Sequence, residues 1–419
     1  MASVTTRTIN VDFWKFWVGQ VISTFGTSFT MFAIPLLIYK LTGSAVNLAL
    51  ATAATFLPYL LFGLIIGAWV DRLDRKRLMI GVDILLAITI GSIPLMSHLG
   101  LLSVWWIYAA EFVGSTFNIF FTSAEFAAIP SLVDQDDLVT ANGRIQASYS
   151  AATVAGPLVA GILVAFISLP TLLLVDAGSY LVSALALTLV RRSFNLREER
   201  QRNSIRADVV EGLRYVLGHP VLRNISIMMA LVNFVGATTA SQLVLFAKVR
   251  LGANNSEIGL LFSAGAAGVV ILGLTAGLLR KRWSFSVVAL GALMADGLLG
   301  IGFALNHRYW LAVPLMALVQ GVGVLFNINT SSLRQAIVPN HMLGRVMSIA
   351  GVLAWSAIPL GAIVGGIAIQ STHNVAAVFA VIGVLTFLIP LGFAFTALGH
   401  AERYLPKDKE VDELEAAGA

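Results

Sequence analysis

Apolar runs long enough to cross a bilayer, about 20 residues each, alternate with short polar breaks along almost the whole chain. The pattern predicts twelve spans, at 13–39, 46–70, 78–98, 103–128, 140–168, 171–190, 222–247, 256–279, 284–305, 309–333, 343–371 and 375–398. Several ends carry the aromatic residues that a bilayer interface favours: Trp14, Trp17, Trp105, Trp106, Trp283 and Trp310. The first apolar run is too long for a cleavable signal, so it reads as the first span.

Charge tests the count. With the N-terminus inside, every one of the 27 Lys and Arg except Lys40, Lys248, Arg250 and Arg308 falls on the cytoplasmic side. A missed or invented helix would invert everything after it and spoil that asymmetry. The chain is therefore expected in the cytoplasmic (inner) membrane, multi-pass, with both termini cytoplasmic. The one long interior loop, 191–221, sets the expected domains: a six-helix bundle at 1–190, a linker at 191–221, a second six-helix bundle at 222–398 and a tail at 399–419. Within the linker, Val209, Val210, Leu213, Val216 and Leu217 beside Glu211 and Arg214 predict a short amphipathic helix on the membrane surface or in the linker alone. The tail from Ala401 is polar and charged, and reads as mobile.

The halves repeat weakly. Gly143-Arg144 before span five is matched by Gly344-Arg345 before span eleven, and Ala155-Gly156-Pro157-Leu158 by Ala357-Ile358-Pro359-Leu360. Internal repeats of membrane helices mark transporters, with the substrate site between the repeats near the midplane. The expected fold class is thus all-α and polytopic, twelve transmembrane helices in two pseudo-symmetric six-helix bundles.

Composition narrows the classes of function. At 58% hydrophobic and 12% charged, the chain is far from a soluble domain, which is about 25% charged. The basic balance, net +5, is explained by topology rather than by nucleic acid. Without cysteine there is no disulfide and no thiolate metal site. No G-x-x-x-x-G-K-[ST] loop and no His-Glu-x-x-His occur, so neither ATP hydrolysis nor zinc proteolysis is expected, and no cofactor is.

Polar residues inside spans point to a wet cavity or a helix contact. Spans one, four, seven and ten are richest in them. Gln20, Thr24 and Thr27 share a face of span one. Glu111, Ser115 and Asn118 share one of span four. Asn233, Thr238 and Gln242 lie in span seven, and Gln320 and Asn327 in span ten. These are the candidate cavity residues. Hydrocarbon disfavours a charged carboxylate, so intramembrane acids are candidate proton carriers: Glu111 first, then Asp296 and Asp176. Asp83, one turn past the basic loop, is expected to neutralise Arg72, Arg75 or Lys76.

Gly67, Asp71, Arg72, Arg75 and Lys76 resemble the signature loop between helices two and three of the major facilitator superfamily, and the resemblance covers nearly the whole chain. Asp74 stands where that family usually has glycine. The resemblance implies a cytoplasmic latch built on those five residues. Gly156, Pro157 and Gly161 are similar to the antiporter motif of drug-exporting members, which implies export. Where Glu111 falls, the family usually has arginine. The runs Gly43-Ser44-Ala45 and Leu343-Gly344-Arg345-Val346 look most like the bacterial macrolide-efflux and siderophore-exporter branch. The expected function is proton-coupled antiport of a hydrophobic or amphipathic small molecule by a monomer, not an enzyme activity. A lipid or lysolipid translocator and a non-transporting scaffold or sensor are the alternatives.

Overall fold

A computed structural model of the chain describes residues 10–70, 72–134, 137–194 and 205–404. Fifteen α-helices run in order among them, with no strand. They are α1 Val11–Thr42, α2 Ala45–Val70, α3 Arg75–His98, α4 Val104–Leu132, α5 Leu138–Leu163, α6 Leu169–Leu189, α7 Ile205–Gly218 and α8 Pro220–Ser241. Then follow α9 Leu243–Val249, α10 Asn255–Arg282, α11 Phe285–Leu305, α12 Tyr309–Ile337, α13 Asn340–Trp355, α14 Ala357–Thr372 and α15 Val375–Phe393.

Helix starts follow the capping side chains. Ser103, Ser168, Ser284 and Asn374 each accept the backbone N–H three residues on, at the heads of α4, α6, α11 and α15. Gly43 ends α1 in the left-handed region (φ 60°), where a side chain would be strained. Among the described residues, eleven helices are long and apolar enough to cross a membrane, counting Arg345–Thr372 as one. The other expected span, α5, is a 26-residue helix that carries Asn142, Arg144, Gln146 and Ser148 in its first half. Its composition, not its length, sets it apart.

Two expected spans are broken. Span seven divides into α8 and α9 at Gln242, which sits near the bridge region (φ −104°, ψ 8°). Span eleven divides into α13 and α14 at Ser356. There Pro359 has no N–H to give the Trp355 carbonyl, so the hydrogen-bond ladder stops at Trp355.

The chain forms two compact units, Met1–Gln201 with Asn254–Ser263, and Arg202–Ala253 with Ala264–Ala419. In the first, α1 packs on α5 and α6, α3 on α4 and α6, and α2 on α4. In the second, α8 packs on α14 and α15, and α11 on α12 and α15. Gly268 of α10 lies directly against the Ala317 backbone of α12. The two units therefore repeat one packing order.

α7 belongs to the second unit. Its Val216 is fully buried with Val346 and Ile349 of α13, and Glu211 pairs with Arg345 at 2.8 Å. The amphipathic face, expected on the membrane surface or in the linker alone, is thus largely spent on α13, though Val210 and Leu217 stay half-exposed. The expected mobile tail is also partly folded. Ala397–Tyr404 forms a short 3₁₀ segment, kinked at His400, whose Leu398 and Ala401 are fully buried. Glu402 accepts both the N–H and the hydroxyl of Ser286 at 3.0 Å. Burial alone would raise the Glu402 pKa, yet these hydrogen bonds bring it below the usual carboxylate range. Tyr404 packs edge-on against His219. Burial lowers the His219 pKa, which keeps its Nδ1 available to cap α8 through the Leu222 N–H. Residues 405–419, and the linker stretch 195–204, lie outside the described residues.

Candidate functional site

The polar side chains of the first unit converge where α1 runs antiparallel to α6. On α6, Asp176, Ser179, Tyr180 and Ser183 follow i, i+3, i+4, i+7 and so share one face. Gln20 Nε2 donates to Ser183 Oγ at 3.1 Å, and the Thr27 and Tyr180 hydroxyls share a hydrogen bond of 3.0 Å. Thr30 Oγ1 donates to Asp176 Oδ2, and Ser179 Oγ donates to Asp176 Oδ1 at 3.1 Å. Glycine makes the approach possible: a Cβ on Gly26 would lie 2.1 Å from Ser179 Oγ. Asp176 is completely buried.

A second polar pair joins α2 to α4. Thr55 Oγ1 donates to Glu111 Oε2 at 2.6 Å, and Ser115 Oγ donates to the Thr55 carbonyl at 2.5 Å.

Asp83 corrects the reading from sequence. It is buried, 1% exposed, and neither carboxylate oxygen has a hydrogen-bond partner within normal distance. No cation pairs with it among the described residues. The basic residues are turned elsewhere: Arg75 Nη1 donates to the Ala127 and Phe194 carbonyls, and Lys76 Nζ to Val190 O at 2.5 Å. They satisfy carbonyls at or near the ends of α4 and α6, where the helix dipole favours a cation. Asp83 instead shares the inward face of α3 with Met79, Val82 and Leu86.

The other expected residues are distributed as follows. Thr24 donates to its own helix, at Gln20 O. Asn118 is half-buried on α4. Gly156 faces Ser28, where a Cβ would meet Ser28 Oγ at 1.8 Å, and Pro157 is inside α5. The Gly161 carbonyl accepts from Ser256 Oγ at 2.7 Å. Gly67 is in the last turn of α2 and Arg72 is exposed in the turn after it, while Asp71 lies outside the described residues. In the second unit, Asn233 Nδ2 donates to Ala354 O at 2.9 Å and Thr238 Oγ1 to Gly361 O at 3.1 Å. Gln242 is fully buried at the α8–α9 break. Gln320 and Asn327 are exposed on α12, and Asp296 is half-buried on α11. Thus Asn233 and Thr238 join helices by bonding backbone, whereas Asp176 and Glu111 of the first unit are each held by hydroxyl donors.

Sequence reasoning missed Thr30, Thr55, Ser179, Tyr180 and Ser183. The α6 face carried the signal in its i, i+3, i+4, i+7 spacing. It also missed Arg334, counted as a cytoplasmic charge: its side chain is 5% exposed and donates to Met229 Sδ at 2.9 Å.

Residues 7–412 match the family described as transmembrane secretion effector. The chain belongs to that family of the major facilitator superfamily. Macrolide efflux protein A of Streptococcus pyogenes is 26% identical over 362 residues, 85% of this chain and 89% of that protein. Multidrug efflux pump Tap of Mycolicibacterium fortuitum is 26% identical over 397 residues, 92% and 94% of the two chains. Among solved structures, a bacterial homologue of the human lysosomal transporter Spinster, inward-facing and unoccupied, superposes with a TM-score of 0.75 at 16% identity, covering 95% of this chain and 98% of that one. The nucleoside transporter NupG gives 0.77 at 11% identity, covering 92% and 98%. These likenesses show that this secretion effector has the major facilitator fold.

Proposed function

We propose that the chain is a secondary efflux transporter that exports hydrophobic or amphipathic small molecules, drug-like or macrolide-like, in exchange for protons. Its two six-helix halves, 1–190 and 222–398, alternate access across the inner membrane, with both termini in the cytoplasm. The observation that carries the reading is the pair of hydroxyl-held acids within the first unit. Asp176 and Glu111 are held inside the first unit by hydroxyl donors, and neither pairs with a cation among the described residues. A carboxyl held by neutral donors takes up and releases a proton without breaking an ion pair. Relatives named as macrolide and multidrug efflux pumps support the direction and the cargo class.

Cells that produce the protein are loaded with a fluorescent cationic dye or a macrolide, and retention is followed with and without a protonophore. Protonophore-sensitive loss of the compound, absent from cells with the Asp176→Asn variant, is the expected result. Export that continues unchanged once the proton gradient is collapsed would remove proton coupling and leave a facilitator.

A further inference from the structure

The seam between α3 and α6 opens into a cleft of about 370 Å³ at its charged end. Lys76, Arg77, Arg191 and Arg192 line it, with Asp74 as the acid among them. None of the four cations makes an ion pair among the described residues. The Asp74 carboxylate is engaged in capping α3 through the Arg77 N–H at 2.9 Å. Lys76 is held by Val190 O and Arg192 by Leu132 O at 3.3 Å. Arg77 and Arg191 have no side-chain hydrogen bond among the described residues, and both are exposed.

The loop is built to present them. The buried carboxylate of Asp12 accepts the backbone N–H groups of both Arg191 and Arg192 at 3.0 Å, and its charge is answered by Lys15 at 3.0 Å. The loop backbone is thereby fixed while its arginine side chains stay un-neutralised. Beyond the cleft, the exposed side chains of α3 as far as Ile88 and of α6 back to Leu181 are apolar. Leu181, Leu185 and Leu189 repeat every fourth residue on α6, and Ile84 and Ile88 on α3. From Ile80 to Ile88 the helix rises about 12 Å, close to half the roughly 30 Å hydrocarbon thickness.

The geometry points to a binding site for an anionic glycerophospholipid: the phosphate in the basic cleft, the acyl chains along the α3–α6 seam. A zwitterionic lipid brings its own ammonium into a pocket already crowded with cations, so the site discriminates by headgroup charge. A free phosphate would satisfy the cleft and leave the apolar stripe to bulk lipid. The anionic lipid satisfies both, and for that reason is the occupant assigned here.

The test is native mass spectrometry of the delipidated full-length protein, titrated with phosphatidylglycerol or with phosphatidylcholine of the same chains. The wild type is expected to retain one phosphatidylglycerol far longer than phosphatidylcholine. The doubly substituted Arg77→Gln, Arg191→Gln protein is expected to lose about thirtyfold in affinity, while Arg77→Lys with Arg191→Lys keeps most of it. Inorganic phosphate in millimolar excess is expected to leave the lipid in place. Equal retention of the two lipids by the wild type overturns the proposal without recourse to any variant. So does unchanged binding by the Gln pair, or displacement by phosphate alone, which would make this a free-anion site. Binding is read without transport, so the result is independent of proton coupling.

Discussion

Substituting Gly26 by alanine tests the α1–α6 seam at its tightest point. The new Cβ would sit 2.1 Å from Ser179 Oγ, 2.6 Å from Asp176 Oδ1 and 2.8 Å from Ser179 Cβ. The hydroxyl can rotate away, but only by giving up its bonds to the Asp176 carboxylate and carbonyl, at 3.1 and 2.8 Å. Ser179 Cβ cannot rotate, so the helices must separate. Overpacking of this kind costs about 1–3 kcal/mol, and the lost hydrogen bond adds about 1 kcal/mol. Gly178, one residue away on α6, is the control: its Cβ would meet nothing within 4 Å. Alanine there gains up to about 1 kcal/mol of helix propensity. Gly26 also lies inside a helix and gains the same propensity, so the two variants should differ by roughly 2–4 kcal/mol in denaturant unfolding from mixed micelles. Adding Ser179→Gly to Gly26→Ala should relieve the contact with Ser179 and recover part of the loss. Equal midpoints for Gly26→Ala and Gly178→Ala would refute the close-packed seam.

Three further outcomes follow from the second unit. Gly361→Ala places a Cβ 1.8 Å from the Phe234 backbone oxygen, which no rotamer change relieves, so the variant should yield little folded protein by fluorescence-detected gel filtration; normal yield would contradict the α8–α14 contact. Glu402 has a folded pKa below its unfolded value, so the unfolded chain binds more protons between the two. Its stabilisation is complete above the unfolded value, near 4.5, and is lost as pH falls through the folded one. Glu402→Gln should therefore lower the melting temperature at neutral pH and flatten its acid dependence, and a parallel pH profile would count against the contact with Ser286. Glu211→Ala removes an exposed ion pair and should cost at most about 1 kcal/mol, measured by the same unfolding assay in low and high salt.

What the sequence made legible was whatever depends on local pattern. Runs of apolar residues located the eleven helices that are long and apolar enough to cross a membrane among the described residues, because hydrocarbon penalises charge at each position separately. The breaks at Gln242 and Ser356 were harder to see: one Pro in a helix bends, caps or splits it according to what packs nearby. Pro35 and Pro58 sit inside continuous helices, whereas Pro359 follows a break. Long-range pairing was invisible. Asp83 reads from sequence as the partner of a nearby basic loop, since Asp74, Arg75, Lys76 and Arg77 all lie within nine residues of it. In the fold, helix phase turns it inward while Arg75 and Lys76 reach for carbonyls at helix ends. Gln20 and Thr27 read as a polar face, and they are one, but their partners, 163 and 153 residues away respectively on α6, could be found only from α6's own spacing.

The most direct measurement uses proteoliposomes with a pH-sensitive dye trapped inside and no imposed proton gradient. Adding a macrolide or cationic dye to one side should drive protons the opposite way in the wild type. That movement should vanish in Glu111→Gln and Asp176→Asn while compound binding persists. Compound crossing the membrane with no proton movement, or proton movement undiminished in both variants, would contradict antiport through these carboxyls.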